Sequence, residues 1–242
     1  ITGLSADQMR TYFDKRYRAG NITLAVAGHF DFDDVIALAK KHCGHWPEGT
    51  PSRPVTEAKP SGGMEIITNP QSLQEHVMQM APAPPSAHPD RFAAELLGVI
   101  VGDDSGSRMY WDLVDPGYAE MAEMSYNDYD GSGVYLTYCG CNPEDTAANI
   151  KRIENIFAEV NAHGITAEEL LQAKNKVSSR VVLRSERPMG RLGSLGSNWL
   201  YRGEYRSVQD DLDIVQSIST ADIERLLQSY PLGHTTTTAV GP

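Results

Sequence analysis

The residues His42-Cys43-Gly44-His45 form the densest cluster of metal-binding side chain types in the sequence. Histidine and cysteine are common zinc ligands, and a structural zinc ion requires four ligands. The cluster lies where a predicted helix runs into a glycine, so the two histidines are expected to diverge. No matching pair of cysteines or histidines follows nearby. We interpret the cluster as the polar end of a helix, with an independent metal site at His42 and His45 as the alternative.

The two helical motifs of zinc hydrolases, H-E-x-x-H and H-x-x-E-H, are both missing from the sequence. His45 and Glu48 have part of the second spacing, but Pro47 lies between them and position 49 is glycine. Glu75 and His76 lie in a predicted strand, with no second histidine one helical turn away. Zinc hydrolysis needs two imidazoles to hold the metal and a carboxylate to activate water. We therefore predict no catalytic residue and no metal ligand in this chain.

Two other groups of side chains have the composition of a ligand-binding surface. Arginines recur at intervals of four, three and four near the end of a predicted long helix, at Arg180, Arg184, Arg187 and Arg191. On an acidic protein such a stripe could hold the acidic residues of a bound peptide, although it more often pairs with neighbouring carboxylates or faces solvent. The aromatic-rich segment 107–120 fits a packed helix and hairpin and the wall of a peptide-binding site equally well.

The composition is that of a globular protein of one large or two small domains. The 242 residues are 40% hydrophobic and 22% charged. A net charge of −11 disfavours nucleic-acid binding, and no apolar run approaches the roughly 18 residues of a membrane span. Cys43, Cys139 and Cys141 do not suggest a disulfide framework, and the last two fit buried thiols on one face of a strand. The compartment is left open between cytoplasm and periplasm, with the cytoplasm favoured.

The most informative pattern is an internal repeat. Ser5 opens a predicted helix that leads through Gly20-Asn21 into the apolar segment 22–28, and Ser219 opens another that leads through Gly233-His234 into segment 235–241. The offset is 214 residues at the helix and 213 at the strand, so we place the one-residue difference in the turn. This distance is too long for a solenoid unit. It predicts a duplicated half-molecule, of which this chain holds the tail of the first copy and all of the second.

The hydrophobic periodicity predicts an α+β fold with a mainly antiparallel sheet and helices packed on one face. Residues 1–46 are predicted to be the tail of a preceding half-domain, with a buried strand at 22–27. Residues 47–63 are rich in proline and glycine and are predicted to be a linker. Residues 64–242 then form the second domain.

Several of these segments resemble the pitrilysin/insulinase-type zinc metallopeptidases, an inverzincin family related to the mitochondrial processing peptidase. Segment 4–31, with Ala25-Val26-Ala27-Gly28-His29-Phe30-Asp31, and Cys43-Gly44-His45-Trp46-Pro47 are similar to the end of the catalytic half in that family. Segment 102–110 is similar to the G-x-x-x-S-R-L-(Y) segment of the second half. The resemblance covers essentially the whole chain and implies a LuxS/processing-peptidase-like metallohydrolase half-domain.

The resemblance also implies a function. The chain would be the inactive half of a zinc metalloendopeptidase, enclosing an extended peptide and closing about the 47–63 linker. This half holds no cofactor, and zinc would be held by the parent enzyme or a partner. Its partners would be the peptide substrate and a zinc-bearing half-domain or subunit, with a dimer possible. The alternative is a non-enzymatic peptide-binding or scaffolding subunit of a heteromeric protease.

One segment departs from the family pattern. The second half of the family commonly reads L-R-E-x-x-G-L-A-Y, whose Arg and Tyr reach the substrate. Here Val114 follows Leu113, and Glu120 stands where the Tyr is expected. That pair therefore cannot be carried over, and we assign substrate binding to other residues of suitable type, namely Arg108, Tyr118, Arg184 and Arg187. A purely structural role is the alternative for Arg108.

Overall fold

The computed structural model describes residues 2–55, 57 and 60–242. They fall into two compact units, a smaller one formed by Ile1–Val55 and Arg184–Arg206 and a larger one formed by Thr56–Leu183 and Ser207–Pro242. The chain passes from one unit to the other within the predicted linker, of which residues 56, 58 and 59 lie outside the described residues, as does residue 1. Residues 184–206, predicted within the second domain, cluster with the smaller unit. No helix in the described ranges is long and apolar enough to cross a membrane.

The larger unit is built on one five-stranded sheet. Its strands are β1 Met64–Thr68, β2 Glu75–Ala83, β3 Met121–Asp128, β4 Gly133–Cys141 and β5 Thr236–Gly241. The order across the sheet is β1-β5-β2-β4-β3, and only the β1–β5 pair is parallel among the strands of this sheet. The prediction of a mainly antiparallel sheet is confirmed.

The α-helices of the described residues are, in chain order, α1 Ala6–Arg16, α2 Phe32–Cys43, α3 Arg91–Gly102, α4 Thr146–His163, α5 Ala167–Ser185, α6 Pro188–Arg202, α7 Val208–Ser217 and α8 Thr220–Ser229. Short turns of other helix types lie at Ala19–Asn21, Tyr110–Val114 and Pro143–Asp145. The predicted stop of α4 is confirmed by Gly164, which adopts a positive φ of 70° at its C-cap.

The core of the larger unit lies on one face of the sheet. Strand residues alternate between two faces, and in β2 the alternate residues Val77 and Ala81 are buried among helices. Cys139 and Ala239, which flank Val77 in register, are buried with it. Helix α3 supplies the largest apolar share of this core, because most of its side chains are buried. This arrangement confirms the prediction of helices on one face, and it also confirms buried, free thiols at Cys139 and Cys141.

The internal repeat is visible in the helix starts. Helix α1 begins with a capping box in which Ser5 and Gln8 exchange hydrogen bonds between side chain and backbone. Helix α8 begins with the same device, made by Ser219 and Asp222. A capping box satisfies two backbone N–H groups that have no partner within the helix. The two copies therefore start in the same way.

The helix ends also match, with one correction. Both helices end at a tyrosine, Tyr17 or Tyr230, whose N–H donates to the carbonyl oxygen four residues earlier. Segments 22–28 and 235–241 each begin five positions after their tyrosine, so the turns have equal length. Helix α1 has 11 residues and α8 has 10. The one-residue difference thus lies in the helix, and its predicted place in the turn was wrong.

The prediction of a buried strand at residues 22–27 was also wrong. Ile22 has an extended backbone, but the segment pairs with no strand in the described residues, and Leu24 and Val26 remain 65% and 39% exposed. The two copies differ in their strand neighbours. The equivalent segment of the second copy, β5, lies between β1 and β2, whereas the smaller unit contains helices and turns but no strand among its described residues.

Two glycines on α3 bring this helix against the backbone of the edge strand β3. A Cβ atom at Gly98 would lie 3.4 Å from the backbone nitrogen of Tyr126. At Gly102 it would lie 2.1 Å from the backbone nitrogen of Met124, which is far inside van der Waals contact. Because backbone atoms cannot move aside as a flexible side chain can, α3 can pack at this distance only with glycine at position 102.

We predict that Gly102→Ala destabilises the protein by about 2–3 kcal/mol, because the added methyl group must push α3 away from β3. The measurement is the free energy of unfolding in urea. Gly193→Ala is the matched control: Gly193 lies within α6 with no atom near its Cβ position. There, alanine should be neutral or stabilise by up to about 1 kcal/mol. Equal effects of the two substitutions would contradict the packing argument.

Candidate functional site

The face of the sheet opposite the core is open. It carries the other set of alternate residues, including Met78 and Met80 of β2, which are 40% and 45% exposed. In register, Met78 lies beside Tyr138 of β4 and Thr238 of β5. Met121 of β3 is 45% exposed on the same face. Methionine side chains are flexible and polarizable, so such a surface can adapt to ligands of varied shape.

One polar pair lies on this open face. His76 Nδ1 and the Tyr138 hydroxyl oxygen are 2.7 Å apart, and the two rings are stacked with centroids 6.1 Å apart. Burial raises the pKa of Tyr138, and the neighbouring Cys139 and Glu120 raise it further. The phenol therefore stays neutral and can donate or accept a hydrogen bond over the physiological pH range.

Arg108 lies at a junction within the larger unit. Its guanidinium donates to Glu169 Oε1 at 2.7 Å and Oε2 at 3.1 Å, and to the carbonyl oxygen of Gly164 at 3.1 Å. The hydrogen bond to Glu169 raises the pKa of Arg108. Burial opposes ionisation of Glu169, but Arg108 and the Thr166 cap lower the pKa of that carboxyl overall. Glu169 also closes the predicted capping box with Thr166 at the start of α5.

The hydrogen bonds of Arg108 favour an indirect role in peptide binding. Its donors are directed at acceptors of the chain itself, in a bidentate pair that fixes orientation. Arg108 therefore ties the start of α5 to the helical turn that precedes the 110–120 segment. A peptide-binding role for Arg108 stays a prediction, and the contacts described support an indirect one.

The arginines at the end of α5 do not form one helical stripe, so that prediction was wrong. Helix α5 ends at Ser185, and Arg187 is the N-cap of the separate helix α6. Arg180 Nη2 donates to Asp103 Oδ1 at 2.5 Å, and Arg191 donates to the Tyr205 hydroxyl and to the carbonyl oxygen of Arg206. The helix stops because Pro188 disfavours helical backbone at the residue before it.

The four predicted binding residues are divided between the two units. Arg108 and Tyr118 belong to the larger unit, and Arg184 and Arg187 belong to the smaller one, where both are exposed. The binding roles of Arg184 and Arg187 stay predictions.

Tyr118 is the centre of a cluster that the sequence did not indicate. Its ring is stacked against the Arg152 guanidinium, whose central carbon is 3.8 Å from the ring centroid. The buried Asn149 donates from Nδ2 to the carbonyl oxygen of Tyr118 at 2.7 Å and accepts from Arg152 at 3.4 Å. Asn149 and Arg152 are one turn apart on α4. That spacing is visible in the sequence, but nothing local connects it to position 118.

The described residues contain no group of three or more His, Cys, Asp or Glu side chains that could hold a metal ion. His42 lies in the last turn of α2, and His45 follows the Gly44 C-cap. Neither Cys43 nor another described His, Cys, Asp or Glu side chain joins these two imidazoles in a group that could hold a metal ion. Zinc takes at least three protein ligands in catalytic sites and four in structural ones. The side chains described here are therefore unsuited to zinc.

Comparison with known proteins gives a consistent result. A family model described as the peptidase M16 inactive domain matches residues 3–177. An uncharacterized zinc protease of Mycobacterium leprae is 23% identical over 231 residues, which are 93% of this chain and 52% of the relative. A probable mitochondrial-processing peptidase subunit alpha of Schizosaccharomyces pombe is 25% identical over 258 residues, covering 97% of this chain and 50% of the relative. The chain thus spans about half the length of these relatives.

A solved structure shows the same fold. The crystal structure of a peptidase M16 inactive domain from Pseudomonas fluorescens matches with a TM-score of 0.89 at 21% identity. The match covers all of this chain and 58% of that one. The resemblance in sequence and the α+β half-domain fold are confirmed.

The Asp103 ion cluster makes an acid-dependent contribution to stability. Asp103 accepts from Lys176 at 2.8 Å and from Arg180, with its own side chain 9% exposed. Burial raises the pKa of Asp103, but the two cations outweigh it and the net pKa is lowered. A lowered folded-state pKa means that the contribution is present above the unfolded pKa of about 3.9 and disappears as pH falls through the folded pKa.

We predict that Asp103→Asn lowers the free energy of unfolding at pH 7 by about 1–2 kcal/mol, since it leaves two cations without their carboxylate. The variant should lose less additional stability than the parent between about pH 5 and pH 2, measured by urea unfolding. Asp104→Asn, at a neighbouring exposed carboxylate that accepts from Ser105 at 3.4 Å, is the control. An identical acid dependence in Asp103→Asn and the parent would contradict the prediction.

Proposed function

Since the chain belongs to the peptidase M16 inactive-domain family, we propose that it forms the non-catalytic, substrate-chamber half of a zinc metalloendopeptidase. In this proposal the chain encloses an extended peptide, and a separate zinc-bearing half cleaves it. The zinc protease name of a relative about twice as long supports zinc in the parent enzyme or its partner. The described side chains of this chain do not fit the metal. In the proposal they bind, orient and shield the peptide.

The observation that carries the proposal is the unpaired segment of the first copy. At an offset of 213 residues, Leu24 and Val26 correspond to Thr237 and Ala239 of β5. Those two residues are 6% and 1% exposed in the larger unit, whereas Leu24 and Val26 are 65% and 39% exposed. Apolar side chains and backbone groups in this arrangement are typical of a strand that lacks its sheet. We take residues 1–46 as the tail of a preceding half-domain whose other strands would cover this segment.

The open sheet face is the proposed chamber wall. Its methionines offer an adaptable apolar surface, and His76 and Tyr138 offer hydrogen-bonding groups for a peptide backbone. Burying a peptide against this face would remove water from the cleavage site, which strengthens the electrostatic interactions there. Closure of the two halves would require motion at the 47–63 linker.

The predicted binding residues take different parts in this proposal. Tyr118, 42% exposed, would contact the peptide directly. Arg108 would act through Glu169, by fixing the segment that leads to Tyr118. Arg184 and Arg187 are exposed cations. They would attract acidic residues of a peptide held between this chain and the zinc-bearing half.

A second candidate is a non-enzymatic subunit that binds peptides or scaffolds a heteromeric protease. The similarity to a protein named as a processing-peptidase subunit favours this reading of the same fold. The two candidates differ in where the zinc motif is encoded. An H-x-x-E-H motif upstream in the same gene would support the single-chain enzyme, and its absence there would support the subunit.

We predict that the purified chain alone shows no chelator-sensitive peptide cleavage, and that cleavage appears when it is mixed with the zinc-bearing half. A fluorogenic peptide assay with and without chelator measures both. Chelator-sensitive cleavage by the chain alone would contradict the proposal. Stoichiometric zinc in the isolated chain would instead support the alternative of a metal site at His42 and His45.

We further predict that Val26→Asp lowers the activity of the recombined halves at least about tenfold, because a buried, unpaired carboxylate costs several kcal/mol. Thr23→Asp is the matched control, since it adds the same charge on the other face of the proposed strand. Full activity of Val26→Asp after recombination would show that this segment joins no sheet. The activity of both variants should be compared at equal folded concentration.

A further inference from the structure

Arg152 stands apart from the other arginines of the larger unit. Each of the others contacts a carboxylate, as seen for Arg91, Arg108, Arg180 and Arg225. No carboxylate partner is found for Arg152 among the residues that the structure describes, although the chain has 32 acidic and 21 basic residues. Its contacts are instead the aromatic ring of Tyr118 and the amide oxygen of Asn149.

The guanidinium of Arg152 is held in place by these contacts. Stacking on Tyr118 occupies one flat face of the guanidinium. The N–H groups along the edge of the guanidinium are not used in that contact. Asn149 is 1% exposed and holds both members of the pair, accepting from Arg152 and donating to the backbone of Tyr118. One buried side chain therefore fixes a cation and an aromatic ring relative to each other, which lowers the entropy cost of binding a ligand.

The surroundings of the pair place it at one end of the sheet. Tyr118 lies three residues before β3 begins, at the end where β2 also begins and β4 finishes. In the loop before β2, Leu73 is 92% exposed, and the next residue, Gln74, donates to the Glu120 carboxylate. That hydrogen bond gives Glu120 a neutral partner. The same end of the sheet thus presents an exposed apolar side chain as well as the exposed Tyr118 ring.

We propose that Tyr118, Arg152 and Asn149 form a carboxylate-binding site for a peptide, which we call the Arg152 site. Arginine binds a carboxylate through two parallel N–H donors, and these bonds are stronger than those between neutral groups. Tyr118 and Leu73 would contact the apolar part of the same peptide. The carboxylate could be that of an acidic side chain or of the peptide C-terminus. This inference rests on the proposed peptide-chamber function and adds a binding residue that the sequence did not indicate.

The test compares three otherwise identical fluorescent peptides for binding to the full 242-residue chain by anisotropy. One carries a glutamate with an amidated C-terminus, the second carries glutamine with a free C-terminal carboxylate, and the third carries glutamine with an amidated C-terminus. The Arg152 site predicts about tenfold tighter binding of at least one carboxylate-bearing peptide than of the third. The peptide that shows the gain identifies the source of the carboxylate.

Arg152→Gln should remove that gain and leave the affinity for the carboxylate-free peptide unchanged. Lys151→Gln is the matched control, because it removes the same charge from an adjacent exposed residue that pairs with Glu154. Arg152→Lys should restore only part of the gain, since the ammonium keeps the charge but not the planar pair of donors. A purely structural role for Arg152 would lower the affinity for all three peptides equally.

Three outcomes would overturn the Arg152 site. These are equal affinity of the parent for the three peptides, an unchanged carboxylate gain in Arg152→Gln, and an equal loss of that gain in Lys151→Gln. The proposed function survives each of them if recombined halves still cleave the carboxylate-free peptide. Absence of binding by all three peptides would overturn the site, and absence of cleavage after recombination would separately overturn the proposed function.

Discussion

The position of β5 between β1 and β2 is the constraint on which the larger unit depends. β1 pairs only with β5 in this sheet, and β2 would lose one of its two neighbours without it. The strand that completes the sheet is therefore supplied by the last residues of the chain, about 170 residues after β1. Backbone groups that are buried without partners are costly, so the sheet is complete only when both ends of this unit are present. Segment 22–27, the counterpart of β5 in the repeat, pairs with no strand among the described residues.

Local signals in the sequence were sufficient for the parts of the fold that are locally determined. Ser5 and Ser219 were recognisable as helix starts because a capping box lies within four consecutive residues. Gly164 and Pro188 were recognisable as helix stops because a glycine or a proline ends a helix locally. The strand at 22–27 was not predicted correctly, because an apolar extended run has the same appearance whether or not a neighbouring strand is present. Pairing is a property of distant segments.

The candidate site illustrates the same limit. Residue types suggested Arg108 and Tyr118, but their partners lie 61 and 34 positions away, at Glu169 and Arg152. Only the folded chain shows that Arg108 is bound to a carboxylate and that Arg152 is stacked on the ring of Tyr118. The regular spacing of the arginines at 180–191 suggested one helical stripe that the fold does not form, because the helix that would align them ends at Ser185. Spacing along a sequence places residues on one face only while the helix continues.

The glycines of α3 have a consequence for how this unit could move. Where side chains separate a helix from a sheet, small changes in their rotamers allow the two layers to slide past each other by an ångström or two. Gly102 leaves no such layer, since the helix rests directly on the backbone of β3. Shear between α3 and the sheet is thereby blocked, and the sheet with this helix would be displaced as one rigid body. Any conformational change would then be confined to hinges outside that contact.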